Sequence, residues 1–297
     1  MTTFTIQPVL DAANTAAQQY TDDIAAKDHI IETLTQKVHD LTPKTKIMTG
    51  FNASNRKQYQ EQMAIFGDPI NPVVIRYYQN PGEPIAWPTE VPLRANDGLV
   101  YSSKDRNPTV AKYVAMLRQA PRDGRKIYVC PWHEPENDGW NAAQIATYLN
   151  WFAILREAVI QVGNPNIMIA CILMGYTWQK ASKRNPEDWI PDDEYFDILL
   201  VDQYFAGSIG QSINTIPKAY DDVIATAKAH NKPWGAAETG VGPKAGNQRN
   251  AATLLVGQTL VAKGAELALW FQTGATVEWS LDAAGAKLFK QGLGLVS

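Results

Sequence analysis

The stretch Val129-Cys130-Pro131-Trp132-His133-Glu134-Pro135-Glu136-Asn137 decides how the chain is read. It begins as a buried strand, Lys126-Ile127-Tyr128-Val129-Cys130, β-branched and apolar. It stops at Pro131 and Pro135, which cannot donate to a sheet ladder. Between the prolines stand an indole, an imidazole and a carboxylic acid. A strand that delivers such groups at its C-terminal end is how a (β/α)8 barrel presents chemistry. The bland alternative is a strand end with a solvated Glu134 and Trp132 packed in a lid, so the flanking sequence has to choose.

From residue 44 onward, short apolar runs alternate with amphipathic ones. Strands are predicted at 46–51, 72–78, 98–102, 126–131, 167–173, 197–204, 233–238 and 266–271. Helices are predicted at 55–66, 107–119, 141–162, 217–230, 247–263 and 282–290. Asn107 is the expected N-cap of the second helix, with Pro108 in its first turn, and Gly264 the expected stop of the fifth. Near-continuously apolar strands alternating with helices mean a parallel sheet covered on its faces. Eight strand slots in about 250 residues suit a closed (β/α)8 TIM barrel. An open doubly wound sheet fits less well, because Gly50-Phe51-Asn52-Ala53-Ser54-Asn55 after the first strand has one Gly and no phosphate-cradling loop.

Residues 1–43 read differently. A heptad places Leu10, Ala17, Ile24, Ile31 and Val38 at position a, and Ala13, Tyr20, Lys27, Leu34 and Leu41 at position d. Only Lys27 is neither apolar nor small. The other faces are mostly polar, so the helix is expected to bury its seam by self-association through residues 9–41 as a coiled coil, dimeric or trimeric. Thr42-Pro43 stops it. The expected organisation is an oligomerising segment, 1–43, before a barrel, 44–297.

A net charge of −3 gives no reason to expect nucleic acid or an anionic membrane as partner. No run is long and apolar enough for a membrane span, and Met1-Thr2-Thr3-Phe4-Thr5 lacks the features of a secretory signal. Cys130 and Cys171 lie in strand runs and are expected as buried free thiols. No His/Cys/Asp cluster has metal-ligand spacing, so neither a metal nor another cofactor is expected. There is no Gly-x-Ser-x-Gly elbow. His29, His39 and His230 fall on surface helix positions.

The strand ends carry the candidate chemistry. They supply Arg76, Trp132-His133-Glu134, Trp178, Asp202-Gln203-Tyr204, Glu238-Thr239-Gly240 and Trp270. Apolar strands have no structural need for a terminal Glu twice. Two carboxyls on one rim are what glycosidic cleavage requires, one to protonate the leaving oxygen and one to meet the oxocarbenium-like carbon. Arg76 and Tyr204 are the groups that could keep Glu238 ionised, and Trp140, Trp178 and Trp270 are stacking candidates. Glu136 is expected to be a loop carboxylate.

Trp132-His133-Glu134 on strand four, Asp202-Gln203-Tyr204, Lys232-Pro233 leading Glu238-Thr239-Gly240 on strand seven, and Trp270 on strand eight together resemble the retaining glycoside hydrolases of clan A. Family 26, with β-mannanases and related endo-glycanases, is the nearest match, since His133 precedes the strand-four acid as in that family. Pro135 departs from the pattern, standing where mannanases often carry Met. The resemblance implies Glu134 as general acid/base and Glu238 as nucleophile, with Trp132, His133, Arg76, Tyr204 and Asp202 around a polysaccharide. A helical segment before such a domain also resembles phage minor tail proteins and tail fibres. That implies a virion tail location, with other tail proteins as partners, against a cytoplasmic alternative. A barrel that binds glycan without cleaving it is the competing functional expectation.

Overall fold

The computed structural model describes residues 18–19, 47–66, 73–79, 83–208, 210–272 and 278–296. The chain divides between Thr45 and Lys46. Ahead of that division only Gln18 and Gln19, exposed and helical, are described, so the heptad lies outside the described residues.

The second unit is a closed barrel of eight parallel strands in sequence order. The strands are β1 (Met48–Asn52), β2 (Val74–Tyr78), β3 (Gly98–Ser102), β4 (Ile127–Cys130), β5 (Ile167–Met174), β6 (Ile198–Phe205), β7 (Trp234–Val241) and β8 (Leu267–Trp270). Closure comes from β1 pairing with β8. Six α-helices lie among the described residues: α1 (Arg56–Phe66), α2 (Val110–Leu117), α3 (Ala142–Val162), α4 (Asp221–Ala229), α5 (Arg249–Ala262) and α6 (Ala283–Gly292). Short 3₁₀ turns replace a helix between β5 and β6. No described helix is long and apolar enough to cross a membrane.

The predicted strands and helices are all present, and the differences lie at helix ends. Thr109, not Asn107, caps α2, its hydroxyl accepting from Lys112 N at 3.3 Å, so Pro108 precedes the helix. α4 starts at Asp221 because Pro217, which cannot donate, sits in a separate 3₁₀ turn, Ile213–Lys218. Gly264, at φ 74°, follows α5 as its stop. Cys130 and Cys171 are buried and free.

The period-2 alternation of the strands builds two apolar layers. Val74, Val100, Cys130, Ile172 and Leu200 fill the barrel, while Ile75, Leu99, Val129, Cys171 and Val201 pack outward on the helices. Towards the C-terminal end the inward series turns polar. After Val74 come Arg76 and Tyr78, and after Leu200 come Asp202 and Tyr204. An apolar plug below and a polar cup above therefore follow from the order of residues on each strand.

One close approach depends on glycine. A Cβ on Gly50 would lie 1.9 Å from the Val74 carbonyl oxygen, its neighbour across β1 and β2. That oxygen is backbone and cannot swing away. Gly50→Ala is therefore expected to destabilise the barrel by about 3 kcal/mol, at the upper end of overpacking costs. Thermal unfolding followed by circular dichroism measures it, and an unchanged midpoint would contradict the packing described.

Candidate active site

The residues that converge on the cup are Arg76, Tyr78, His133, Glu134, Asp202, Tyr204 and Glu238. Glu134 follows the end of β4. Its backbone is left-handed, at φ 49° and ψ 48°, which is unusual for a residue with a Cβ and more so before a proline. Its N–H donates to Ile172 O at 3.0 Å, which ties this strained turn to β5. The chain then enters a single 3₁₀ turn, Pro135–Asn137. Glu136 braces that turn. It is 4% exposed, and its Oε1 accepts from Met174 N and from the Thr177 hydroxyl. Burial pushes its carboxyl up to about 7.

Glu238 reaches the cup because β7 carries an irregularity. Val201 pairs with Ala236, but Asp202 pairs with Glu238, leaving Ala237 as the extra residue. Strict alternation would turn Glu238 outward, like Ala236, towards the helices. With the bulge, Ala237 and Glu238 both face the interior, a local re-aiming of the kind bulges provide.

Three donors surround Glu238. The hydroxyl of Tyr78 donates to Oε1 and that of Tyr204 to Oε2. Arg76 Nη2 lies 3.5 Å from Oε1 and 3.3 Å from Asp202 Oδ2. Burial first, then Glu238, holds both phenols well above their usual range, so they remain donors. Arg76 is fully buried and stacks on the Tyr78 ring at 5.1 Å. Glu238 is thus placed as the acceptor that a nucleophile must be.

Carboxylate oxygens of Glu134, Asp202 and Glu238 lie within 4.8 Å of one another. One guanidinium stands against three carboxyls, two buried and one half-buried. Burial, then Glu238 and Glu136, raises Glu134 to about 8. Burial and then Glu238 raise Asp202 well above the carboxylate range, against the pull of Arg76. Burial, then Arg76 and Lys104, lowers His133 well below its usual value, so its imidazole is neutral. That ring lies 5.2 Å from the Tyr78 ring, and its Nδ1 has no protein partner among the described residues. The three carboxyls are also the grouping whose spacing would suit a metal ion, but Arg76 already stands among them as the cation.

The indoles go elsewhere. Trp270 is fully buried between barrel and α6, against Phe289, with its Nε1 donating to Trp279 O. Trp132 and Trp140 pack on each other and on Trp151 of α3, and Trp132 Nε1 donates to Asp138. Trp178 turns to α4, donating to the Thr226 hydroxyl at 2.9 Å. Two aromatics not singled out from sequence do reach the site. Tyr78 shares the inward parity of Arg76, two residues earlier, and that spacing was a usable signal. Trp279 lies against the Tyr204 ring at 4.7 Å, over Gly207 and Gly240, and nothing in the sequence marks it. A cleft of about 500 Å³ opens beside the carboxyls, with Asp202 and Tyr204 in its lining.

A deep cup with two facing carboxyls, one raised by burial and the other held by three donors, is the arrangement of a glycosidase-like barrel. Solved structures give the same fold. The chain is similar to a family 26 β-mannanase of Bacteroides ovatus, at TM-score 0.56 and 15% identity, over 84% of this chain and 90% of that one. It is similar to the family 26 domain of an endo-β-mannanase/endo-β-glucanase of Prevotella bryantii, at TM-score 0.55 and 13% identity, over 84% and 90%. A modular endo-β-1,4-mannanase of Cellulomonas fimi aligns at TM-score 0.57 and 13% identity, over 85% and 73%. No family model and no curated protein sequence matches the chain.

The raised Glu134 carboxyl has a consequence for stability. Between the ordinary carboxylate range and about pH 8 the folded state keeps a proton that the unfolded state has released. Stability is therefore full at low pH within that window and falls as pH rises through it. Glu136 acts in the same direction up to about 7. Glu134→Gln should be more stable than wild type at pH 8, with a melting temperature about 2–4 °C higher per kcal/mol regained, and the gain should shrink towards pH 5. A gain independent of pH in melts across this range would contradict the assignment.

Proposed function

We propose that the protein is a retaining endo-glycosidase. The observation that carries this reading is the Glu134–Glu238 pair, with oxygens within 4.8 Å, Glu238 accepting from two tyrosine hydroxyls and the Glu134 carboxyl raised to about 8. Retention uses carboxyls about 5–5.5 Å apart, whereas inversion needs about 6.5–9.5 Å to admit a water. In the first step Glu238 attacks the anomeric carbon while Glu134 gives its proton to the departing glycosidic oxygen. A covalent glycosyl–enzyme results. In the second step Glu134, now a carboxylate, takes a proton from water, which displaces Glu238 and returns the sugar with its original configuration. Tyr78, Tyr204 and Arg76 orient the nucleophile, and neutral His133 packs on the Tyr78 ring behind it.

The family 26 likeness supports a polysaccharide substrate, and the cleft beside the pair supports an extended one. The heptad supports self-association through residues 9–41, and the pairing of such a stalk with a glycan-cutting barrel supports a virion tail role.

Reducing-sugar release across mannans, glucans, xylans, galactans and bacterial envelope extracts tests the activity. Glu238→Ala should lower kcat by at least about 10³-fold, and Glu134→Gln by about 10²–10⁴-fold on substrates with poor leaving groups. Wild-type kcat/KM should fall above about pH 8 as Glu134 loses its proton. Full activity in either variant would sink the mechanism, and glycan binding without reducing ends would favour the non-catalytic alternative. Sedimentation of the full chain reads the stalk: a dimer or trimer is expected, and a monomer overturns it.

A further inference from the structure

The cleft beside the carboxyls has a wall that the two-step reaction does not use. Tyr176, Gln179, Arg184 and Asn137 join Asp202 and Tyr204 in its lining. Tyr176 is 41% exposed, one of three large apolar or aromatic side chains exposed among the described residues. The Arg184 guanidinium lies 5.7 Å from the centre of its ring. Arg184 Nη1 donates to Asn137 Oδ1 at 3.1 Å and to the Thr177 hydroxyl at 3.4 Å, both neutral acceptors. Asn137 in turn donates to Glu134 Oε2 at 3.3 Å. The guanidinium is therefore fixed, two hydrogen bonds from Glu134.

Its charge is not matched. Among the described residues Arg184 makes no ion pair, and its Nη2 edge has no partner. The acid within its field, Glu136, is buried and makes no ion pair with it: its Oε1 accepts from Met174 N and the Thr177 hydroxyl, and its Oε2 has no partner among the described residues. The segment Tyr176-Thr177-Trp178-Gln179-Lys180-Ala181-Ser182-Lys183-Arg184 carries three cations and no acid, in a chain whose net charge is −3. A held guanidinium with an open edge fits the two oxygens of a carboxylate, and an exposed phenol ring fits the face of a sugar. A neutral polysaccharide would leave that charge facing only water.

We propose that this cleft is a subsite for an acidic sugar: a hexuronate beside the scissile bond that packs on Tyr176 and pairs its carboxylate with Arg184. The proposal rests on the glycosidase reading and narrows its substrate to uronate-bearing polysaccharides.

The test compares polymannuronate, polygalacturonate, glucuronoxylan and glucuronomannan, each with its carboxyl-reduced, neutral form. Wild type and Arg184→Gln are assayed for kcat/KM, and Glu238→Ala for binding. Wild type should favour at least one acidic polymer over its reduced form by about 10-fold or more, mainly through KM, and added salt should erode the preference. In Arg184→Gln the ratio should collapse towards one, and Arg184→Lys should restore part of it. A ratio near one for every pair in wild type, or a preference that survives Arg184→Gln, overturns the proposal. Cleavage of neutral polymers alone does so too, while leaving the glycosidase reading intact. Selective binding of an acidic polymer that wild type never cleaves upholds the subsite and overturns the hydrolase.

Discussion

One guanidinium, sealed inside the barrel, governs the site. Arg76 has no access to water and lies between Asp202 and Glu238. A buried charge without a partner is very costly, so Arg76 demands an anion. It can neutralise one. The three carboxyls within 4.8 Å of one another compete for that one cation, and the tyrosine hydroxyls donate to Glu238. Burial first, and then Glu238, raises the carboxyls of Glu134 and Asp202. The contrast between Glu134 and Glu238 on which the proposed mechanism rests is a charge balance, set around one cation in a place where solvent cannot supply another.

The barrel itself was legible because parallel strands buried on both faces leave near-continuous apolar runs, with Gly98–Ser102 the weakest of the eight. Helix ends were less legible, since Thr109 and Asn107 are both competent caps and only packing chooses between them. The carboxyl pair could be read as two acids at the ends of strands four and seven. The inward aim of Glu238 could not, because simple alternation from Ala236 turns it outward and only the extra residue Ala237 brings it back. Bulges of this kind have no reliable sequence mark.

Aromatic residues show where residue type stops being informative. Trp132, Trp140, Trp178 and Trp270 carry the flat faces a sugar could use, yet three of them pack among aromatic side chains between barrel and helices and the fourth bonds to α4. An indole fills a core as readily as it stacks on a pyranose, and sequence does not separate the uses. Of the aromatics that face the cup, Tyr78 and Tyr204 sit two residues beyond Arg76 and Asp202 on their strands. Inward parity, not residue size, was the better guide. The strain in Glu134, left-handed before Pro135, fits the same picture of a site that trades stability for placement.

The charge balance around Arg76 can be measured without any substrate, by ¹³C carboxyl titration of protein labelled at Glu and Asp. A carboxyl that titrates near pH 8 and disappears in Glu134→Gln is the expected result. If every carboxyl of the cup instead released its proton together in the ordinary carboxylate range, one cation would not be setting the roles, and the account would fail.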